Sequence, residues 1–209
     1  MKPFPRQVLQ FNQWQKNLLE RLTTSPGSFG LVAGDATSYN ALLASFEVLH
    51  RDADVIVFDT GAGISKNTTA FLAAADDIVV VTMPEPTAVV DAYAVIKMLS
   101  READHGDLYV LLNQCTGRDE AERFANGIAV TANKLLNAYV EKLGYIVTDP
   151  RVPQSVRARR PFLLAHPHCA ASACLRSIAE RLLARGLKPA PSERPSFVRR
   201  LFSVLRGGA

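Results

Sequence analysis

The sequence predicts an α/β fold, a doubly wound and mostly parallel sheet with helices on both faces. Two observations predict it. Strand-like and helix-like segments alternate about five times along the chain. Three of the strands, Asp54–Asp59, Ile78–Thr82 and Leu108–Asn113, are near-continuous apolar runs without polar alternation, as strands covered on both faces are.

Taken in order, residues 6–24 read as a helix. Val8, Phe11, Leu18, Leu19 and Leu22 recur at helical spacing, and Pro26-Gly27 ends the pattern. Phe29–Ala33 is a short strand and Tyr39–His50 a helix. Asp54–Asp59 is a buried parallel strand that runs into a loop with Gly61 and Gly63. Asn67–Ala75 is a helix, Ile78–Thr82 a strand, and Thr87–Ser100 a helix that begins just after Pro84-Glu85-Pro86, with Thr87 placed to cap it. Leu108–Asn113 is a strand, Arg118–Leu143 a long helix, Tyr145–Thr148 a strand and Ala170–Arg185 a helix. Residues 188–196 (KPAPSERPS) are rich in Pro and Ser and read as a linker. A short helix, Phe197–Arg206, follows. The predicted organisation is one domain over residues 1–187, the linker, and a terminal helix over 197–209.

Composition is consistent with this. The 209 residues are 48% hydrophobic and 21% charged, which excludes an intrinsically disordered chain. A chain of this length buries a core without disulfide staples. No apolar run is long enough to span a bilayer, and the first residues lack the apolar stretch of a signal peptide. Three cysteines, Cys115, Cys169 and Cys174, make no disulfide framework, so a reducing cytosol is the expected compartment. The net charge of +4 hides an asymmetry: residues 1–150 carry −6 and residues 151–209 carry +10. The carboxy-terminal part is therefore expected to meet something anionic, or to present a solvated basic face.

In doubly wound sheets ligands bind at the carboxyl ends of the strands. Three strand ends carry polar chemistry. Asp59 ends an apolar strand, where a carboxylate can hold a hydrated Mg²⁺, and Gly61, Ala62 and Gly63 follow, where backbone amides can approach a phosphate closely. Taken alone, the same residues also describe a strand ending in a glycine turn. Thr82–Thr87 is a βα loop set by Pro84 and Pro86. Asn113 ends the third strand and offers two donors and an acceptor, a set suited to the edge of an adenine.

Together these motifs resemble the MinD/ParA family of deviant-Walker P-loop ATPases. The run DVIVFDTGAGISKNTTAFLAAADDIVVVTMPEPTAVVDAYAVIK carries the resemblance. The stretches DTGAGIS, PEPTAVVDAYAVIK and DPRVPQSVRARRPFLLAHP are most similar to its FlhG-type flagellar-number regulators. The resemblance covers about residues 29–186. It implies ATP and Mg²⁺ as cofactors, with Asp59 on the Mg²⁺ side through water and Gly61, Ala62 and Gly63 as the switch that senses the γ-phosphate. Asn113 is the adenine contact, and the loop around Asp149–Val152, with Asp149 and Pro150, closes over the base.

The chain departs from the family at one point. No G-x-x-x-x-G-K-[ST] segment occurs in it, and Gly61–Lys66 is the switch region, not a Walker A. Residues 1–30 align loosely with the stretch that follows the P-loop helix. The first strand, the phosphate-gripping lysines and the Mg²⁺-binding Thr are therefore expected to be missing, with negligible hydrolysis by the chain as it stands.

The terminal segment has its own pattern. Phe197, Val198, Leu201, Phe202 and Leu205 form one helical stripe, while Arg199, Arg200, Ser203 and Arg206 take the other face. A basic amphipathic helix after a flexible linker reads as a membrane-surface anchor; the competing reading is a last helix docked on the domain's own core.

The resemblance implies an ATP-dependent homodimer, reversibly bound to an anionic membrane at the inner face of the cell membrane and otherwise cytoplasmic, that sets flagellar number or placement. Its implied partners are an FlhF-type GTPase and flagellar switch proteins. Two other readings remain: a non-hydrolysing, membrane-associated adaptor, and a DNA-associated partition-type protein using Arg157, Arg159 and Arg160. Nucleic acid ranks last, because no aromatic residues interleave with those arginines. His166, His168, Cys169 and Cys174 are close in sequence, but their spacing matches no standard zinc signature.

Overall fold

A computed structural model describes residues 6–11, 55–60, 66–102, 105–186 and 197–207 of the chain. The predicted strand Phe29–Ala33, the helix Tyr39–His50, the linker 188–196 and the glycine turn Gly61–Gly63 lie outside the described residues. The architecture is α/β, with parallel strands and flanking helices, and it divides into two compact units.

The first unit holds β1 (Arg6–Phe11), β2 (Val55–Thr60), α1 (Lys66–Ala74) and the carboxy-terminal helix. β1 and β2 pair in parallel, from Arg6 against Val55 to Phe11 against Thr60. Residues 6–11 are therefore a strand, not the start of the predicted helix. Val8 and Phe11 are three apart, a spacing that suits a helix face, yet Leu9 and Phe11 also alternate as a strand requires, and pairing with β2 decides between them. β2 forms as predicted but is not buried throughout, since Val57 is 60% exposed.

The second unit contains most of β3 (Asp77–Thr82), then α2 (Pro86–Leu99), β4 (Asp107–Cys115), α3 (Arg118–Leu136), β5 (Val140–Val147), α4 (Arg151–Arg157), α5 (Phe162–Ala165) and α6 (Ala170–Gly186). β3, β4 and β5 lie side by side in that order, and β4 and β5 are parallel. Ile78, Val79 and Val80 of β3 and Leu108 to Leu112 of β4 are buried, which explains their uninterrupted apolar sequence. Ala92, Val95, Ile96 and Leu99 of α2 and Ala121, Ala125, Ile128 and Ala132 of α3 supply the covering helix faces.

Three boundaries differ from expectation. α2 begins at Pro86, so Thr87 sits inside the helix; the cap position belongs to Glu85, whose side chain makes no cap bond. The Thr82 hydroxyl ties strand to helix instead, donating to the Ala88 carbonyl at 2.9 Å. α3 stops at Leu136, seven residues before the predicted end. Asn137 takes the left-handed conformation (φ 51°), and the Ala138 amide donates to the Ala132 carbonyl, closing the helix end. The chain released there enters β5 five residues earlier than the sequence indicates.

The carboxy-terminal helix, α7 (Phe197–Gly207), packs on α1 within the first unit. Phe197 and Leu201 are buried against Ala70 and Ala74, with Phe58, Phe71 and Val204 around them. The Phe197 and Phe58 rings stack with centroids 5.0 Å apart. Burying Phe197 and Leu201 contributes roughly 1.5–3 kcal/mol each.

Candidate functional site

The predicted site residues fall in both units. Asp59 is the fifth residue of β2, in the first unit, and lies opposite Gln10 of β1. It is half-buried, and burial pushes its carboxyl pKa above the ordinary aspartate value. A divalent cation beside such a group would reverse that shift. Gly61, Ala62 and Gly63 lie outside the described residues.

Asn113 and Asp149 belong to the second unit, at the carboxyl ends of the neighbouring strands β4 and β5. Cys115 pairs with Val147, and the Thr148 amide donates to the Cys115 carbonyl at 2.9 Å. The structure thus brings the Asn113 strand end and the Asp149 loop together. Asn113 is half-buried, and its side-chain oxygen accepts the Gln114 amide at 2.9 Å. Gln114 has φ 57°, a left-handed conformation uncommon for a residue with a side chain. This local bond fixes which end of the Asn113 amide faces away: the two N–H donors.

Asp149 is buried and heavily engaged. One oxygen accepts the Arg151 amide at 3.0 Å and the Arg151 Nε at 3.1 Å; the other accepts the Ala171 amide at 3.5 Å. The Arg151 amide holds the carboxyl below the usual carboxylate range. The Ala171 amide, the Cys169 side chain and the Arg151 charge act in the same direction, while burial pulls the other way. Asp149 therefore joins the end of β5 to the starts of α4 and α6. Pro150 is exposed at the start of α4.

Sequence reasoning missed this clamp. Its signal was an Asp just ahead of a helix start, where a short carboxylate accepts the amide two residues on, as in an Asx-turn. Around it, the Cys169 thiol donates to the Ser172 hydroxyl at 3.2 Å, and that hydroxyl donates to the His166 carbonyl at 2.8 Å. Cys169 thus serves the α6 entry. Among the described residues no group of three or more His, Cys, Asp or Glu is placed to hold a metal ion. Cys115 is buried, and burial, then Glu120 and Cys174, push its thiol up to about 11, so it is protonated at neutral pH. All three cysteines are free thiols.

The anchor residues are divided by the docking of α7. Phe197 and Leu201 face α1, Arg200 is buried, and Arg199 is exposed. The side chains of Val198, Phe202, Leu205 and Arg206 lie outside the described set. No described helix is long and apolar enough to cross a membrane.

No protein-family model matches the chain. It is 35% identical over 160 residues to the flagellum site-determining protein YlxH of Helicobacter pylori, covering 73% of this chain and 53% of YlxH. It is 28% identical over 156 residues to the antiactivator FleN of Pseudomonas aeruginosa, covering 75% of this chain and 56% of FleN. The chain thus spans about half the length of the curated relatives it matches. Among solved structures it is similar to the septum site-determining protein MinD of Pyrococcus horikoshii in complex with Mg-ADP, with a TM-score of 0.55 and 16% identity, covering 88% of this chain and 86% of that one.

Proposed function

We infer, for a chain that is a homologue of FleN and YlxH and has the fold of the MinD/ParA ATPases, that it serves in a nucleotide-governed regulator of flagellar number or placement. The observation that carries this reading is the convergence of Asn113 and the Asp149 loop at adjacent strand ends, where a doubly wound sheet binds its ligand. The flagellar role is carried over from the similarity to the flagellum site-determining protein YlxH.

Taken unit by unit, Asn113 and the Asp149 loop suit the base of ATP, and Asp59 suits Mg²⁺. Asn113 aims its amide donors outward and would meet the acceptor edge of a purine. The loop from Thr148 to Val152, held by Asp149, would wall the base. Asp59 would hold Mg²⁺ through water, and Gly61, Ala62 and Gly63 would answer to the terminal phosphate. Bound nucleotide would supply the energy that distinguishes two states of the regulator, with this chain's residues holding its base and answering to its phosphate. Lysines of the Walker A type are not among the 209 residues.

The membrane reading draws support from α7, a basic helix with an apolar stripe that is folded onto α1. Its Phe197 and Leu201 can serve a lipid surface only after leaving that site, so docking and membrane binding compete. Partners of the FlhF and flagellar switch type, and a homodimer, are what the resemblance to the MinD/ParA family implies.

The test is equilibrium binding of a fluorescent ATP analogue with Mg²⁺ to the native protein, its intact mass determined first, together with pelleting on phosphatidylglycerol vesicles. Nucleotide-dependent pelleting that weakens with Asn113→Ala is the expected result. Vesicle binding indifferent to nucleotide would replace this reading with the non-hydrolysing adaptor. Steeply salt-dependent DNA binding that survives deletion of residues 197–209 would replace it with the partition-type protein.

A further inference from the structure

Residues 150–179 carry Arg151, Arg157, Arg159, Arg160 and Arg176 and not one Asp or Glu. Two of these arginines are engaged within the second unit. Arg151 pairs with Asp149 at 3.1 Å, and Arg176 donates to the Pro167 carbonyl at 2.6 Å. Arg157, Arg159 and Arg160 are exposed, and among the described residues their guanidinium groups make no hydrogen bond or ion pair. The flanking acids along the chain do not offset them. Asp149 precedes α4, about 10 Å from its far end, and is already held by Arg151. Glu180 comes nearly three turns into α6. α4 and α5 pack mainly on each other.

The end of α4 points the same way. The Arg160 amide donates to the Ser155 carbonyl and the Arg159 amide to the Val156 carbonyl, both at 3.0 Å, and Arg159 is left-handed (φ 53°). A helix stop of this kind ordinarily takes glycine at the position of Arg159 and an apolar residue at that of Arg160. Here both are Arg. The backbone would be better served by glycine at the first, so the fold does not ask for these charges.

An apolar turn follows directly. α5, Phe-Leu-Leu-Ala, buries none of its four residues, and Pro161 and Pro167 bracket it. Leu164 is 71% exposed, and Val156, in the last turn of α4, is 48% exposed. Three unpartnered cations thus stand beside an uncovered apolar turn. A nucleic-acid duplex would engage the arginines and leave Leu164 in water. A partner helix would need a groove between elements, and these residues share one short turn. An anionic bilayer meets both halves, with phosphates at the headgroup level and hydrocarbon directly below.

We propose that the α4–α5 turn is a contact site for an anionic phospholipid surface. Arg157, Arg159 and Arg160 sit among the headgroup phosphates, and Leu164 enters the acyl boundary beneath them. The contact uses no residue of α7 and none of the nucleotide residues, so it stands or falls apart from both.

The test uses the full chain with vesicles of phosphatidylcholine alone or with about one third phosphatidylglycerol, read by co-sedimentation and by amide exchange. Exchange in residues 157–166 should slow on the anionic vesicles and stay unchanged on phosphatidylcholine. Arg157→Gln, Arg159→Gln and Arg160→Gln should each lower affinity for the anionic vesicles about fivefold. Leu164→Gln, an exposed substitution, should lower it about threefold or more. Arg159→Gly should hold or raise the melting temperature while costing the same fivefold in affinity, which separates the charge from the fold. Slowed exchange confined to residues 197–207 would overturn this contact and leave α7 as the membrane element. Equal binding to the two vesicle types, or affinity untouched by the arginine substitutions or by Leu164→Gln, would also overturn it. So would a DNA duplex that slows exchange in residues 157–166 where the anionic vesicles do not.

Discussion

Arg200 of α7 closes the end of α1 by pairing with Asp76, 124 residues earlier in the chain. Its Nη2 donates to the Asp76 carboxylate at 2.5 Å, and its Nε and Nη2 donate to the Ala74 carbonyl at 2.9 and 2.6 Å. Ala74 is the last residue of α1, whose final carbonyls need donors and whose negative dipole end favours a cation. The Arg200 side chain is 6% exposed, so its charge is buried and held by both groups.

Arg200→Ala should therefore destabilise the chain by about 2–3 kcal/mol, because it removes a buried charged donor that the Ala74 carbonyl and the Asp76 carboxylate share. Urea denaturation checks this. Arg200→Lys should recover only part of the loss, since an ammonium cannot reproduce the planar fork that reaches both acceptors.

Leu201→Ala should cost about 2–5 kcal/mol by opening a cavity beside Ala70 and Ala74. The competition between docking and membrane binding adds a second outcome. Arg200→Ala loosens α7 but keeps its apolar stripe, so vesicle binding should rise. Leu201→Asp removes part of the stripe itself, so vesicle binding should fall although docking is also lost. Equal changes in both variants would mean that α7 serves the fold alone.

The elements legible in the sequence were those whose local pattern and tertiary setting agree. β3, β4, α1 and α2 have apolar runs or stripes that the core uses directly, and they lie within two residues of expectation. Residues 6–11 were misread because a six-residue segment satisfies both periods, and only its partner strand resolves it. The helical pattern of α3 runs on past Asn137 in the sequence, but the left-handed conformation of Asn137 ends the helix. Asn113 and Asp59 are legible as polar residues at the ends of apolar strands. The clamp made by Asp149 was not, because its acceptor bonds reach Ala171, 22 residues away. The burial of Arg200 was hidden for the same reason: an Arg on the polar face of an amphipathic helix looks solvent-directed until the helix is docked.

Gly106→Ala should be among the most damaging single-methyl additions in the chain. A Cβ at Gly106 would overlap both the Ala75 and the Asp76 carbonyl oxygens. Both are backbone atoms, so no rotamer change relieves the overlap. The Asp107 amide donates to that same Asp76 carbonyl at 3.0 Å, so moving the loop breaks the bond that places the start of β4. The expected cost is at or above the roughly 3 kcal/mol upper end of ordinary overpacking, read as a lowered urea midpoint.

Asp149 gives the stability of the second unit an acid limb. Its folded-state pKa is depressed, chiefly by the Arg151 amide, so the unfolded chain binds the proton more readily than the folded one does. The stabilisation is fully present above the ordinary aspartate value of about 3.9 and is lost as pH falls below it, through the folded value. Asp149→Asn keeps the shape but offers one acceptor oxygen where the carboxylate uses two, and it cannot titrate. The variant should melt below the unsubstituted protein at pH 7, and the difference should shrink as pH falls below about 4. Thermal denaturation at pH 7, 5, 4 and 3 reads both trends. A gap that stays constant across this range would mean that the carboxylate's charge contributes nothing, leaving only the geometry of its bonds to Arg151 and Ala171 to join β5 to α4 and α6.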